Sequence, residues 1–373
     1  MDNGVTSIDG SILEGGGQIL RLSVSIASLL NIPIRIFNIR GRRSNPGLRA
    51  QHKTGLDLIH KMTPRSKLLG SEISSTEISF LPDQDHDNYH EDLTFSADTK
   101  TAGAITLLAQ IALPKALFMG RRCTLMLRGG TDVPMSPTFT YFQKVFMPNL
   151  EKFGVSPIPE ISASYKGYFP RGGGSVDLQI TQPLLTSINP VRMDDRGDII
   201  EIRIISSVAG NVPLSVAKKM CNSARRLIER GFQPSVRIIE DVYHESHAQG
   251  NGSTITIVAS SSNQCILGGS SLGSPKVRPE ITGEEAAKDL LASILDFPKA
   301  CVDPYIQDQL ILFMALSKGN SRIRTCSPLT LHTQTAIKVV ETLTSASFTI
   351  TTENLDDRDY CVIECKGIGY QFK

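Results

Sequence analysis

Apolar positions recur at helical spacing just behind a run of three glycines. Leu20, Val24, Ala27 and Leu30 follow Gly15-Gly16-Gly17, which predicts a helix over Gln18 to Leu30. An apolar strand, Ile34 to Ile39, comes next, then a basic loop, Arg40-Gly41-Arg42-Arg43. Asn45 and Pro46 form a cap-and-proline start for a second helix, Gly47 to Met62. Strand-like runs at Glu72 to Phe80 and Leu93 to Ala97 close the unit. The order then repeats. Thr101 to Leu113 reads as helix, Cys123 to Leu127 as strand and Arg128-Gly129-Gly130 as loop. Ser136-Pro137 starts a helix ending near Gly154, and strands follow at Ile161 to Lys166 and Ser175 to Ile180. A third copy runs through a helix at Tyr305 to Leu316, a strand at Arg322 to Thr325 and a loop at Cys326 to Leu331. It ends with a helix at Thr333 to Leu343 and strands at Phe348 to Thr352 and Tyr360 to Glu364.

Three such copies predict an α/β (α+β) fold. A large domain holds three repeated helix–strand–helix–strand–strand units in pseudo-threefold arrangement. Leu184 to Pro275 breaks the rhythm, with strands at Ile199 to Ser206, Ser235 to Glu240 and Thr254 to Ala259 and a helix at Leu214 to Arg230. It reads as a smaller inserted α/β domain, 184–275, within a large domain of 1–183 and 276–373.

Composition narrows the class. With 373 residues, 40% of them apolar, the chain can bury a sizeable core. The 39 basic and 37 acidic side chains nearly cancel, so any basic surface for an anionic partner must be local. Ile105 to Met119 is interrupted by Gln110, Pro114 and Lys115, so no membrane span is expected. Met1 to Gly10 carries no apolar secretory signal, and the seven cysteines show neither C-x-x-C pairs nor an even count. An intracellular protein is expected.

If the copies superpose, their equivalent loops face one centre. Those loops hold Arg40, Arg42 and Arg43 in the first, Thr131 to Pro137 in the second and His332 in the third. The matching helix starts add Glu14, Gln18 and Arg21, and Tyr305, Asp308 and Gln309. A histidine, arginines, carboxylates and a glycine-rich turn in one cleft suit a phosphate-rich substrate with a metal. His332 stands at the predicted start of a helix, and a neutral imidazole nitrogen can attack phosphorus and hold a transferable group. Glu14 offers an oxygen ligand for Mg²⁺, and arginine forks match phosphate oxygens in pairs. Gly15-Gly16-Gly17 is not a Walker A loop, because Gly-Lys-Ser is absent. Asp83 to Asp92, with His86 and His90, reads as an acidic loop, and His244 and His247 as turn residues. Arg171-Gly172-Gly173-Gly174 reads as the tight start of a strand.

The motifs, in order, resemble the RNA 3′-terminal phosphate cyclases over nearly the whole chain. They are Asp9-Gly10-Ser11 through Leu13-Glu14-Gly15-Gly16-Gly17-Gln18-Ile19-Leu20-Arg21, then Ser44 and Pro46-Gly47-Leu48-Arg49 with Gln51-His52, and Ala97-Asp98-Thr99-Lys100-Thr101-Ala102-Gly103. Arg128-Gly129-Gly130-Thr131, Gly172-Gly173-Gly174, Gly268-Gly269-Ser270-Ser271-Leu272-Gly273, Gln307-Asp308-Gln309-Leu310 and Leu331-His332-Thr333-Gln334-Thr335-Ala336-Ile337 complete the set. The resemblance implies ATP and a divalent metal (Mg or Mn) as cofactors, and RNA with a 3′-terminal phosphate as partner. It implies that His332 takes AMP from ATP and passes it to the RNA 3′-phosphate, whose neighbouring 2′-hydroxyl displaces it to leave a 2′,3′-cyclic phosphate. Gln110, Pro137, Tyr305, Asp308 and Gln309 would surround the nucleotide, Glu14 would bind the metal, and Arg21, Arg40 and Arg43 would hold phosphates. Nuclear residence is a further expectation, with the cytoplasm as the alternative. Asn45 stands where most of these cyclases have threonine, and Lys338 where histidine can occur. Cyclase-like ribosome-assembly factors of the nucleolus share the fold but lack the nucleophilic histidine. The presence of His332 favours the enzyme.

Overall fold

The structure, a computed structural model, describes residues 4–83, 92–232 and 236–372. Asp85, His86, Asp87, His90 and Glu91 of the acidic loop lie outside the described residues. The first repeat comprises β1 (Thr6–Asp9), α1 (Gly17–Leu30), β2 (Ile34–Phe37), α2 (Ala50–Lys61), β3 (Lys67–Leu69) and β4 (Ile78–Leu81). The second comprises β5 (Leu93–Asp98), α3 (Ile105–Leu117), β6 (Cys123–Gly129), α4 (Phe139–Tyr141), α5 (Met147–Glu151), β7 (Glu160–Gly167) and β8 (Gly174–Ile180). A π-helical stretch, Phe142–Phe146, joins α4 to α5.

After β9 (Arg192–Met193) the chain enters an additional body. It contains β10 (Ile199–Ala209), α6 (Leu214–Gly231), β11 (Arg237–Glu245), β12 (Ala248–Gln249), β13 (Gly252–Ser261), β14 (Ile266–Leu272) and α7 (Pro279–Leu291). The third repeat resumes with α8 (Pro304–Gln309), α9 (Ile311–Leu316), β15 (Asn320–Cys326), α10 (Leu331–Leu343), β16 (Ser347–Leu355) and β17 (Arg358–Lys366).

Sheet order exposes the repeat more sharply than the hydrophobic pattern does. The first three sheets run β1-β2-β4-β3, β5-β6-β8-β7 and β9-β15-β17-β16, with β12 added at the outer edge of β7. In each, the first strand pairs parallel with the second and the contacts among the second, third and fourth are antiparallel, while the added β12 pairs parallel with β7. Parallel neighbours need a long crossover, so each repeat opens with a strand ahead of its first helix. The run at Leu93 to Ala97 therefore belongs to the second repeat, where it pairs in register with β6, and does not close the first. In the third repeat, Arg192 and Met193 pair with Arg322 and Ile323 before the additional body begins. That body thus lies inside the third repeat's parallel crossover.

Its own sheet, β11-β10-β13-β14, carries α6 and α7 against each other on one face. Gly283 lets them approach closely, because a Cβ there would collide with the Met220 carbonyl. Pro279 at the first helical position starts α7, and Thr282, Gly283, Ala286, Ala287 and Leu290 make its buried stripe.

The main core lies among the helices. α1 packs against α2, α3 and α10, and buries residues all round its circumference. Several helices differ from the sequence expectation: α3 begins at Ile105 and not Thr101, α4 at Phe139 and not Ser136, and α10 at Leu331 and not Thr333. Gly47 has φ +77 and packs on the Ser74 carbonyl, so α2 begins only at Ala50. The predicted helix over Tyr305 to Leu316 is two short helices meeting at Leu310.

Candidate active site

The starts of α1 and α10 and the end of α8 converge. α10 is capped by Thr330, whose hydroxyl accepts the Thr333 N–H at 3.0 Å. The buried Gln307 staples this helix start to its surroundings. Its Oε1 accepts the Thr330 N–H at 3.0 Å and the Thr333 hydroxyl at 2.7 Å, while its Nε2 donates to Thr325 Oγ1 at 2.7 Å. His332 therefore rides on a first turn held from three sides, with its ring exposed to solvent.

Across the cleft, Gln18 in the first turn of α1 reaches both ways. Its Nε2 donates to Asp308 Oδ2 at 2.6 Å, and its Oε1 lies 3.0 Å from His332 Nδ1. Arg21 stands near Asp308 and Glu14, and loss of water lowers its pKa against their pull. Desolvation likewise pushes the Asp308 carboxyl up to about 7, opposed by Arg21.

The glycine run serves close approach. The Glu14 carboxylate folds back over Gly16, accepting its N–H at 2.7 Å, and leaves no room for a Cβ there. A Cβ on Gly17 would lie 2.5 Å from His52 Nε2. Arg43 pairs with the other Glu14 oxygen and reaches the Glu14 carbonyl at 3.1 Å. The Glu14 N–H donates to Thr335 Oγ1 at 3.2 Å, tying the glycine turn to α10. Arg40 is spent on its own loop, donating at 2.8 Å to the carbonyls of Asn45 and Gly47. His52 accepts the Arg49 N–H on Nδ1 at 3.1 Å. Burial, with Arg21, Arg40 and Arg49 nearby, lowers its pKa to about 3, so it is neutral.

A pocket opens beside this cluster. Gln18, Arg21, Gln110, Asp308 and Gln309 supply its polar lining, and Leu113, Leu312 and Phe313 part of its apolar wall. Gln110 Nε2 donates to Gln309 Oε1 at 3.0 Å, and Gln309 Nε2 to the Tyr305 carbonyl at 2.6 Å. Tyr305 has its ring half exposed, packs edge-on to Tyr141 and donates its hydroxyl to Asp289 Oδ1 at 3.1 Å. Pro137 lies against the start of α3, its carbonyl accepting from Thr106 Oγ1 at 2.9 Å.

Thus Gln110, Asp308, Gln309 and Arg21 share one pocket, Tyr305 adjoins it, and Glu14 and Arg43 pair beside it. Pro137 does not line the pocket, and Arg40 faces loop carbonyls.

Sequence reading missed the residues that hold these groups. Asp303 is fully buried and caps α8, with Oδ1 accepting from Tyr305 N, Ile306 N and the Tyr141 hydroxyl at 2.9, 3.0 and 2.6 Å. Its Oδ2 accepts the Gly268 N–H at 2.8 Å. The Asp-Pro pair before α8 is a legible cap signal; its partners in the second repeat and the additional body are not. The Gly268-Gly269 motif is explained by this joint. A Cβ on Gly268 would lie 2.6 Å from the Tyr141 ring, and one on Gly269 2.5 Å from the Ala286 carbonyl. His244 bonds the Gly210 carbonyl and His247 the Ser246 hydroxyl. Among the described residues no group of three or more His, Cys, Asp and Glu side chains could hold a metal, and no helix is long and apolar enough to cross a membrane.

Fold and cleft together define an α/β protein of three βαβαββ repeats with an additional body, in which an exposed imidazole, arginines and a carboxyl border one pocket. The chain belongs to the RNA 3′-terminal phosphate cyclase family, whose model matches residues 12–350. It is similar to the probable RNA 3′-terminal phosphate cyclase of Dictyostelium discoideum, 40% identical over 368 residues, 97% of this chain and 83% of the relative. The RNA 3′-terminal phosphate cyclase of Drosophila melanogaster is 37% identical over 366 residues, 97% and 96% of the two chains. That of the archaeon Staphylothermus marinus is 38% identical over 337 residues, 90% and 91%. The sequence resemblance and the enzyme reading stand with this membership.

Proposed function

We propose that the chain converts an RNA 3′-terminal phosphate to a 2′,3′-cyclic phosphate using ATP, with His332 as the covalent carrier of AMP. The observation that carries this reading is the exposed His332 ring, held at one nitrogen by Gln18 beside a pocket lined by Arg21, Asp308 and Gln309. In the first step a ring nitrogen forms a bond to the α-phosphorus of ATP, and the bond to the pyrophosphate oxygen breaks. An RNA 3′-phosphate oxygen then takes the adenylyl group, releasing the imidazole. The 2′-hydroxyl finally attacks the RNA phosphorus, loses its proton and expels AMP. One nucleophile thus divides a hard displacement into easier ones.

Arg21 and Arg43 would hold phosphate oxygens, and Arg40 would join them only by leaving its loop carbonyls. Tyr305 would offer its exposed face to the base, with Gln110, Gln309 and Pro137 around the adenosine. The donors fit a cation shared with substrate phosphates and do not form a closed cage, since Glu14 is the one carboxylate at the glycine turn and already binds Arg43. Such a cation would offset charge building up at phosphorus.

The division into a large domain (1–183 and 276–373) and an insert (184–275) belongs to the same proposal. The fit of α7 on α6 supports carrying the insert on to Leu291. Nuclear residence is part of it too, and fractionation finding the protein wholly cytosolic removes that part.

The test is incubation with ATP labelled at the α-phosphate and a divalent cation, comparing wild type with His332→Ala. Acid-labile, alkali-stable label on the wild type alone is the expected outcome. Well-folded wild type that takes no label refutes the covalent reading.

A further inference from the structure

The additional body reaches the neighbourhood of the pocket through one carboxylate, that of Asp289 in the last turn of α7. Its place follows from a glycine of β14. A Cβ on Gly269 would lie 2.5 Å from the Ala286 carbonyl oxygen and 2.7 Å from the Leu290 nitrogen, so only a bare backbone lets α7 settle this closely on the strand. Asp289 then spans two elements. Its Oδ2 accepts the Ser270 N–H of β14 at 3.4 Å, and its Oδ1 accepts the Tyr305 hydroxyl of α8 at 3.1 Å. Burial and the nearby Asp303 raise the Asp289 carboxyl to about 6, so at neutral pH it stands mainly as the accepting carboxylate. A protonated carboxyl would still bond the phenol oxygen, so the tether holds in either state.

Tyr305 needs such a tether. Its backbone is fixed, since its N–H donates to Asp303 Oδ1 at 2.9 Å and its carbonyl accepts from Gln309 Nε2 at 2.6 Å. Its ring is held less firmly. It meets Tyr141 edge-on with centroids 6.0 Å apart, and about half of the residue's surface is open to solvent. A half-exposed ring can swing away by turning about its Cα–Cβ bond. The bond at its far end, to Asp289, resists that turn.

We propose that Asp289 is a positioning residue for the nucleotide: from the additional body it holds the Tyr305 ring in the pose on which a base stacks. That role rests on Tyr305 being the platform for the base, as proposed above, and it gives the additional body a part in the nucleotide site. A side chain that must be immobilised at the moment of binding lowers affinity by about two- to tenfold, and a ring held beforehand avoids that loss. Asp289 touches no reacting atom, so its removal should raise KM for ATP and leave the maximal rate of labelling unchanged.

ATP affinity can be measured by calorimetry on full chains carrying His332→Ala, which should bind ATP without reacting. The ATP dependence of covalent labelling is then followed in the same variants with His332 intact. Asp289→Leu and Tyr305→Phe cut one bond from its two ends, so each should weaken ATP binding by about two- to tenfold. Combining them should cost no more than either alone, because residues that act through one contact are not additive. Asp289→Asn keeps a bonding partner for the phenol and should bind ATP nearly as the wild type does. Losses that add in the double variant, an Asp289→Leu protein with wild-type affinity, or a lowered maximal rate at unchanged KM overturns the role of Asp289. Should Asp289→Leu not fold, Tyr305→Phe decides, and wild-type affinity there overturns it equally. Tyr305→Ala with wild-type affinity sinks the base platform itself, whereas a loss in Tyr305→Ala with none in Asp289→Leu removes the tether alone.

Discussion

Replacing Asp303 by asparagine should unfasten the additional body from α8 while leaving the helix itself capped. In the wild type three donors converge on Oδ1 and the Gly268 N–H alone meets Oδ2. Asparagine keeps its oxygen where three donors need it, which turns the NH₂ toward the Gly268 N–H. A bond to a charged acceptor contributes about 1.5–3 kcal/mol, and a buried donor left unmade costs about 1–3 kcal/mol. Part of this is offset, because burial already raises the Asp303 pKa and disfavours its charge. A net loss of about 3 kcal/mol follows.

With unfolding entropy of about 2.1 cal/mol/K per residue, that loss spread over the whole chain lowers Tm by about 4 °C. Scanning calorimetry reads the midpoint, and amide exchange at Gly268 reads the joint directly. The Gly268 amide should exchange at least about tenfold faster in Asp303→Asn, since one factor of ten corresponds to about 1.4 kcal/mol. Tyr141→Phe removes a single donor to the other oxygen, so it should cost less, about 1 kcal/mol, and leave Gly268 exchange nearly unchanged. An Asp303→Asn protein with wild-type midpoint and wild-type Gly268 exchange would refute the claim that this carboxylate is the joint.

Burial raises Asp308 to about 7 and Asp289, which also feels Asp303, to about 6, both above the ordinary 3.8. The folded state therefore keeps protons that the unfolded state has lost. The stability this gives is complete below about pH 4 and is lost as pH rises toward about 7. Asp308→Asn cannot titrate, so its urea midpoint should gain on the wild type between about pH 4 and pH 8; a constant difference counts against the shift. Gly17→Ala should press on His52 and cost about 1–3 kcal/mol, visible as a lower Tm together with slower labelling. Tyr305→Ala should weaken ATP binding by the value of a base–aromatic stack, about 1–3 kcal/mol, while Tyr305→Phe, which loses only the Asp289 tether, should change it by a smaller factor. Equal affinities across the three proteins would remove Tyr305 from the nucleotide site.

Local chemistry was legible wherever it repeats at short range. The stripe Leu20, Val24, Ala27 and Leu30 marked α1, the alternating run from Ser175 to Ile180 marked β8, and the helix start at His332 was visible before its cap was. The short edge strands β1, β3, β9 and β12 escaped because two to four residues carry no measurable period. α7 was also missed, for its buried face is built of Thr, Gly and Ala as well as leucine.

By itself, the sequence determined the periodic elements, the threefold recurrence and the pairing of residue types that suits phosphate chemistry, because all of these are written in spacings of a few residues. Only tertiary structure decided which sheet owns Leu93–Asp98, where the additional body leaves the third repeat, and that Arg40 turns to its own loop. It alone brought Gln18 to His332, which are 314 positions apart. A hydrogen bond depends on atoms a few ångströms apart and on which donor has no better partner, and no periodicity along the chain encodes either.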